Sequence, residues 1–156
     1  MALKHRIARI LHTLIVGGAH PRKREYLEEL KLKIREANLD SQITFTGNRD
    51  DLREILSISD LVLSLTRQPE SFGRTTLEAL AMGIPVAGYA HGGVVEQLEA
   101  LLPAGKVPVS DIAAMASRLG DWYENPPQPD PENPFSLGNM LDHTFQEYKK
   151  LNVQST

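Results

Sequence analysis

The sequence contains no cysteine. Disulfide staples, thiolate metal sites and cysteine nucleophiles are thereby excluded, and a reducing cytoplasm is the default compartment. No Asp-x-Asp occurs and the five histidines fall at no ligand-like spacing, so the sequence marks no metal site. A G-x-S-x-G elbow is also missing, and with it any support for triad hydrolysis. No apolar run reaches membrane-spanning length. Residues 1–10 are basic and partly apolar, but they lack the long apolar stretch and small-residue cleavage site of a signal peptide. Nor is there a basic excess: with a net charge of −3 and no aromatics interleaved among basic residues, the chain has no face suited to a phosphate backbone, which argues against a nucleic acid partner.

What is present suits a soluble globular protein: 156 residues, 41% hydrophobic and 24% charged, enough for one core-bearing domain and an appendage. Residues 11–16 (LHTLIV) form a short apolar run ending at Gly17-Gly18, the pattern of a buried strand and a turn. Tyr26, Leu27, Leu30, Ile34 and Ala37 then recur at helical spacing and predict a helix over 23–37, stopped at Asn38. The unit repeats as a strand over 42–46, a short helix capped by Asp50 or Asp51 and reaching 58, and a strand over 61–65. Beyond a loop at 66–73, a helix over 74–82 ends at Gly83 with Pro85 just after it, and a strand follows over 84–89. A helix over 93–102, a short strand over 106–109 and a helix capped by Ser110 or Asp111 and running through 123 complete the series.

Short apolar strands alternating with amphipathic helices imply right-handed crossovers and a parallel sheet covered on both faces, an open doubly wound α/β fold. Residues 125–134 hold five prolines and read as a stiff linker. The last helix, over 136–151, lines Leu137, Met140, Leu141, Phe145, Tyr148 and Leu151 along one face, which calls for a docking surface in this domain or in another. The expected organisation is a domain over 1–124, a Pro-rich linker over 125–135 and a C-terminal docking helix and tail over 136–156.

Ligands of open α/β sheets bind beyond the carboxyl ends of the strands, which directs attention to the loop after the strand over 61–65. There Gly73 stands just before a helix, whose first free amides, on Arg74, Thr75 and Thr76, favour an anion. Glu70 precedes the turn and Glu78 lies one helical turn after Arg74, so two carboxylates approach one pocket with the amides between them. That suits a ligand with hydroxyls at both ends and phosphate in the middle. Taken alone, Glu78 is better accounted for by its favourable interaction with a helix start than by a ligand. Gly17-Gly18 after a strand lacks the rest of a dinucleotide fingerprint and reads as a turn. His91, with Gly92 and Gly93, sits at another strand end facing the same side, where it either contacts sugar or acceptor or is a plain loop histidine. Trp122 and Tyr123 read as core or domain-contact residues.

The run from Pro69-Glu70-Ser71-Phe72-Gly73-Arg74-Thr75-Thr76-Leu77-Glu78 to Gly83-Ile84-Pro85-Val86 resembles the signature of glycosyltransferase family 4, with its two glutamates separated by seven residues. Val16-Gly17-Gly18, Phe45-Thr46-Gly47 and Gly92-Gly93 followed by Glu96 extend the resemblance over 11–124. It implies one half of a GT-B architecture, the C-terminal Rossmann-like domain that binds a nucleotide-diphosphate sugar. By that resemblance Glu78 holds the ribose, and Glu70 lies at the transferred sugar as the catalytic carboxylate. Phe72, Gly73, Arg74, Thr75 and Leu77 contact the donor, and Gly17, Gly47, Asn48 and Arg49 line the base pocket.

The implied reaction is sugar transfer with retention, without metal or other cofactor, in a cytoplasmic enzyme of the polysaccharide-synthesis kind. The implied partner is an N-terminal acceptor domain, without which this chain is expected to be inactive. Peripheral membrane association of the full enzyme and a homodimer through the last helix are compatible with it. The sequence departs from the family in lacking the opening strand and the basic Arg and Lys pair that neutralises the diphosphate; Arg22 is a candidate replacement but reads as an exposed helix start. A sugar-nucleotide epimerase-like domain and a non-catalytic nucleotide- or protein-binding module are the competing readings.

Overall fold

The computed structural model describes residues 11–18 and 23–153. The basic start at 1–10 and Arg22 lie outside the described residues. The chain divides into two compact units, Met1–Ile55 and Leu56–Thr156.

In the first unit β1 (Thr13–Val16) pairs in parallel with β2 (Ile43–Gly47), Thr13 opposite Ile43 and Ile15 opposite Phe45, with a slip in register between Ile15 and Val16. They are joined by α1 (Arg24–Glu36), which carries ion pairs from Lys31 to Glu28 at 2.8 Å and from Lys33 to Glu29 at 2.6 Å on its surface. α1 stops because Asn38 turns left-handed (φ 55°), so that the Asn38 amide bonds to the Arg35 carbonyl and the Leu39 amide to that of Ile34. A short helix, α2 (Leu52–Ser57), carries the chain across the boundary. None of the described residues up to Ile55 is fully buried.

The second unit contains β3 (Val62–Ser64), α3 (Arg74–Ala81), β4 (Val86–Tyr89), α4 (Gly92–Leu101), a 3-10 turn, β5 (Lys106–Val107), α5 (Ile112–Glu124) and α6 (Leu137–Val153). Its three strands lie in the order β3-β4-β5 and every pairing is parallel, as strand-helix alternation predicts. β4 is buried along its whole length, which is why its sequence is apolar without alternation. Ala79 and Leu80 of α3, Val94, Leu98 and Leu101 of α4, Val107 of β5 and Met115 and Trp122 of α5 close over it to make the core. Each large aliphatic side chain so buried contributes about 1.5–3 kcal/mol.

Local chemistry sets the ends of these elements. α3 finishes when Gly83 turns left-handed, its amide bonding to the Leu80 carbonyl and that of Ile84 to the Ala79 carbonyl. Of the two expected caps of α5, Asp111 is the one used: its Oδ1 accepts from the Ala114 amide at 2.9 Å. The strand expected over 106–109 stops at Val107, because Pro108 has no amide to donate and its carbonyl opens the turn into α5 by accepting from Asp111 at 3.1 Å.

The proline-rich segment is strapped to the unit, the Asp130 amide donating to the Leu101 carbonyl at 2.7 Å with Pro129 buried. Trp122 is core, under the Arg118 guanidinium at 5.8 Å, whereas Tyr123 is exposed. The face of α6 that calls for a docking surface is open, with Leu137, Met140, Leu141, Phe145 and Tyr148 between 44% and 67% exposed. Among the described residues no helix is long and apolar enough to cross a membrane.

Candidate functional site

The loop between β3 and α3 ends at Gly73, whose backbone is left-handed (φ 78°, ψ 56°), a conformation that costs glycine little and other residues more. As the N-cap of α3 it supplies no side-chain hydrogen bond. The amides of Arg74, Thr75 and Thr76 therefore begin the helix with neither an intrahelical acceptor nor a capping side chain, the arrangement that receives an anion. Leu77, half-buried, makes the first helical bond, its amide donating to the Gly73 carbonyl at 3.2 Å.

The rest of the loop is held from outside, by α4. The Gly93 amide donates to the Glu70 carbonyl at 2.9 Å, the Gln97 side-chain amide donates to the Phe72 carbonyl, and His91 Nε2 donates to the Thr66 carbonyl at 2.8 Å. A Cβ on Gly93 would sit 2.6 Å from Phe72 Cα and 2.7 Å from the Ser71 carbonyl oxygen, and one on Gly92 would sit 2.5 Å from the Glu70 carbonyl oxygen. The missing side chains of this glycine pair thus let α4 approach the loop of Glu70 and Phe72 closely. His91 faces the same loop.

A cavity of about 220 Å³ runs along β3 to the loop beyond it, walled by Val62, Leu63, Ser64, Leu65, Thr66, Glu70, Thr75 and Thr76. Of the residues marked in the sequence, Glu70 and Thr75 line it, while Phe72, Gly73, Arg74 and Glu78 stand beside it. Glu78 is one turn into α3 and lies 3.5 Å from the Arg74 guanidinium, the two side chains 43% and 85% exposed. So open a pair contributes little to stability and leaves the carboxylate available. Among the described residues no three carboxylate or imidazole side chains converge on a point where they would hold a metal ion.

In the first unit the carboxyl ends of β1 and β2 bring Gly17 and Gly47 together, the Gly17 amide donating to the Gly47 carbonyl at 3.0 Å, with the Asn48 side chain against Gly18. Arg49 is turned to Asp51: its Nε donates to Oδ1 at 2.7 Å and a terminal nitrogen to the other oxygen. The bond and the opposite charge raise the pKa of Arg49 and lower that of Asp51.

Two participants escaped the sequence. Phe135, at the end of the proline-rich segment, meets the Phe72 ring edge-on, centroids 6.3 Å apart and planes at 78°. Gln97 holds the Phe72 carbonyl; its only signal is that it falls four residues after Gly93 and so shares that residue's helix face.

Residues 2–134 match the family model described as Glycosyl transferases group 1. The chain belongs to this family. Among group 1 relatives, the 2-deoxystreptamine N-acetyl-D-glucosaminyltransferase of Streptomyces fradiae is 33% identical over 96 residues, 60% of this chain and 23% of the relative. Anabaena HepE, solved in complex with UDP and glucose, superposes with a TM-score of 0.70 at 26% identity, covering 79% of this chain and 34% of HepE. The C-terminal domain of a group 1 protein, LpcC of Francisella tularensis, gives 0.63 at 27% identity, covering 73% of this chain and 60% of that domain. The group 1 chain thus has the α/β fold of the C-terminal half of GT-B glycosyltransferases. It spans about a quarter of the length of the Streptomyces relative.

Proposed function

We propose that this chain is the donor-binding domain of a glycosyltransferase that moves a sugar from a nucleotide-diphosphate sugar to an acceptor with retention of configuration. The observation that carries the reading is the uncapped start of α3 behind the left-handed Gly73, next to a cavity that Glu70 and Thr75 help to line, with the open carboxylate of Glu78 one turn further on. The diphosphate accepts from the amides of Arg74 and Thr75, which stabilise the charge that builds on it as the sugar leaves. Glu78 accepts from the two ribose hydroxyls, a pair of charge-assisted bonds. Glu70, whose carbonyl is held by the Gly93 amide, is assigned to the transferred sugar. No metal is assigned a part.

The test is calorimetric titration of the chain with UDP, GDP, ADP and UDP-glucose, beside Glu78→Ala. One nucleotide should bind, and the variant should bind it at least about tenfold more weakly, the loss expected for charged hydrogen bonds. Its melting temperature should be unchanged, because the Arg74 pair is solvent-exposed. No binding at millimolar ligand, or equal binding by the variant, would sink the reading.

A further inference from the structure

Among the described residues, Gln97 is the buried side chain that keeps a polar atom without a partner. It is fully buried on α4 among Val94, Leu98 and Leu101, each at most 2% exposed, where an aliphatic residue would pack without penalty. Only half of its amide is satisfied. Nε2 donates to the Phe72 carbonyl, and because a carbonyl accepts only from a donor, that contact fixes which end of the amide faces the loop. Oε1 is buried with no partner, 3.6 Å from where a Cβ on Gly73 would lie. A half-satisfied buried amide is a poor core residue, so the bond it does make is the reason to look for a role.

That bond falls at the hinge of the site. Phe72 is the residue before the left-handed Gly73, and fixing its carbonyl fixes the peptide plane that leads into the turn. The Gly93 amide, one helical turn earlier on the same face of α4, fixes the Glu70 carbonyl. The loop is therefore clamped at 70 and 72, on either side of Ser71. The first clamp carries the Glu70 carboxylate, and the second carries the peptide that leads to the amides of Arg74 and Thr75.

We propose that Gln97 is a positioning residue for the donor site, its buried amide holding the Phe72 carbonyl so that the start of α3 stays open to phosphate. The proposal rests on the donor-site reading. It needs Gln97 to touch no ligand, in keeping with its burial and with its place outside the cavity wall.

Two substitutions test it on the whole chain, with UDP, GDP and ADP as probes. Gln97→Leu keeps the volume and removes both the donor and the orphan acceptor. Its melting temperature should equal or exceed that of the wild type, while affinity for the nucleotide falls about tenfold and the Gly93 amide, released with the loop, exchanges with solvent faster. A residue that merely fills the core would move stability and binding together. Gln97→Glu supplies the missing donor only when protonated, and burial raises a carboxyl's pKa. Its affinity should be weak at about pH 8 and recover towards about pH 6, while Gln97→Leu stays weak throughout.

Gln97→Leu binding within twofold of wild type, or Gln97→Glu following Gln97→Leu at every pH, overturns the role of Gln97. Absence of nucleotide binding by the wild type overturns the donor-site reading itself. That failure is visible before any variant is made.

Discussion

At the scale of single residues, the site depends on where side chains are missing as much as on where they are present. Gly93→Ala would drive a methyl into the backbone of Ser71 and Phe72, which cannot yield as a flexible side-chain end can. Denaturant unfolding should show a loss of about 1–3 kcal/mol, the usual cost of overpacking, and nucleotide binding should weaken because the loop is pushed off α4. Gly138→Ala is the internal control. Nothing lies closer than 3.9 Å to its new Cβ, and it is the second residue of α6. In that first turn the same methyl should stabilise by less than the roughly 0.5–1 kcal/mol of a mid-helix site, so the two substitutions are expected to differ in sign. If both destabilise alike, the seat of the loop on α4 has been misjudged. Glu78 follows a different rule, since its exposed partner Arg74 gives it little structural value to lose.

At the scale of elements, most of the architecture was legible because the signals are local. Asn38, the Gly83 and Pro85 pair, and Asp111 each act within a few residues of themselves, and each ends or begins a helix where its chemistry demands. Asp111→Ala should therefore cost about 1 kcal/mol in thermal or denaturant unfolding, the worth of one N-cap. Ser110→Ala should not, since Ser110 makes no capping bond. The strand end at Val107 was misjudged because apolar Val109 continues the pattern past a proline that cannot join the ladder. The site was legible in its backbone signature, with Glu70, Gly73 and Thr75 gathered at one strand end. Gln97 and Phe135 were not, because a glutamine in a helix reads as a surface residue and a phenylalanine after prolines reads as linker. Only the contacts with Phe72, 25 and 63 positions away, give them a role.

At the scale of the whole molecule, burial is uneven. Among the described residues the fully buried side chains begin at Leu56, and β1 keeps Leu14, Ile15 and Val16 between 36% and 39% exposed. Amides of β1 and β2 are expected to exchange with solvent at least about tenfold faster than those of β4, the difference between partial and complete burial. Mass spectrometry of exchanging peptides would check this, and equal protection in both units would refute it. The bonds from α4 to the loop have a further consequence, in time instead of space. His91, Gly93 and Gln97 all come later in the chain than the stretch they hold, and two of their bonds span 25 residues. Pairings so distant in sequence are slow to form. A ribosome that has released the chain only as far as Ala81 has delivered every atom of the loop and of α3, but not the shape that makes them a site; that shape arrives with the next helix.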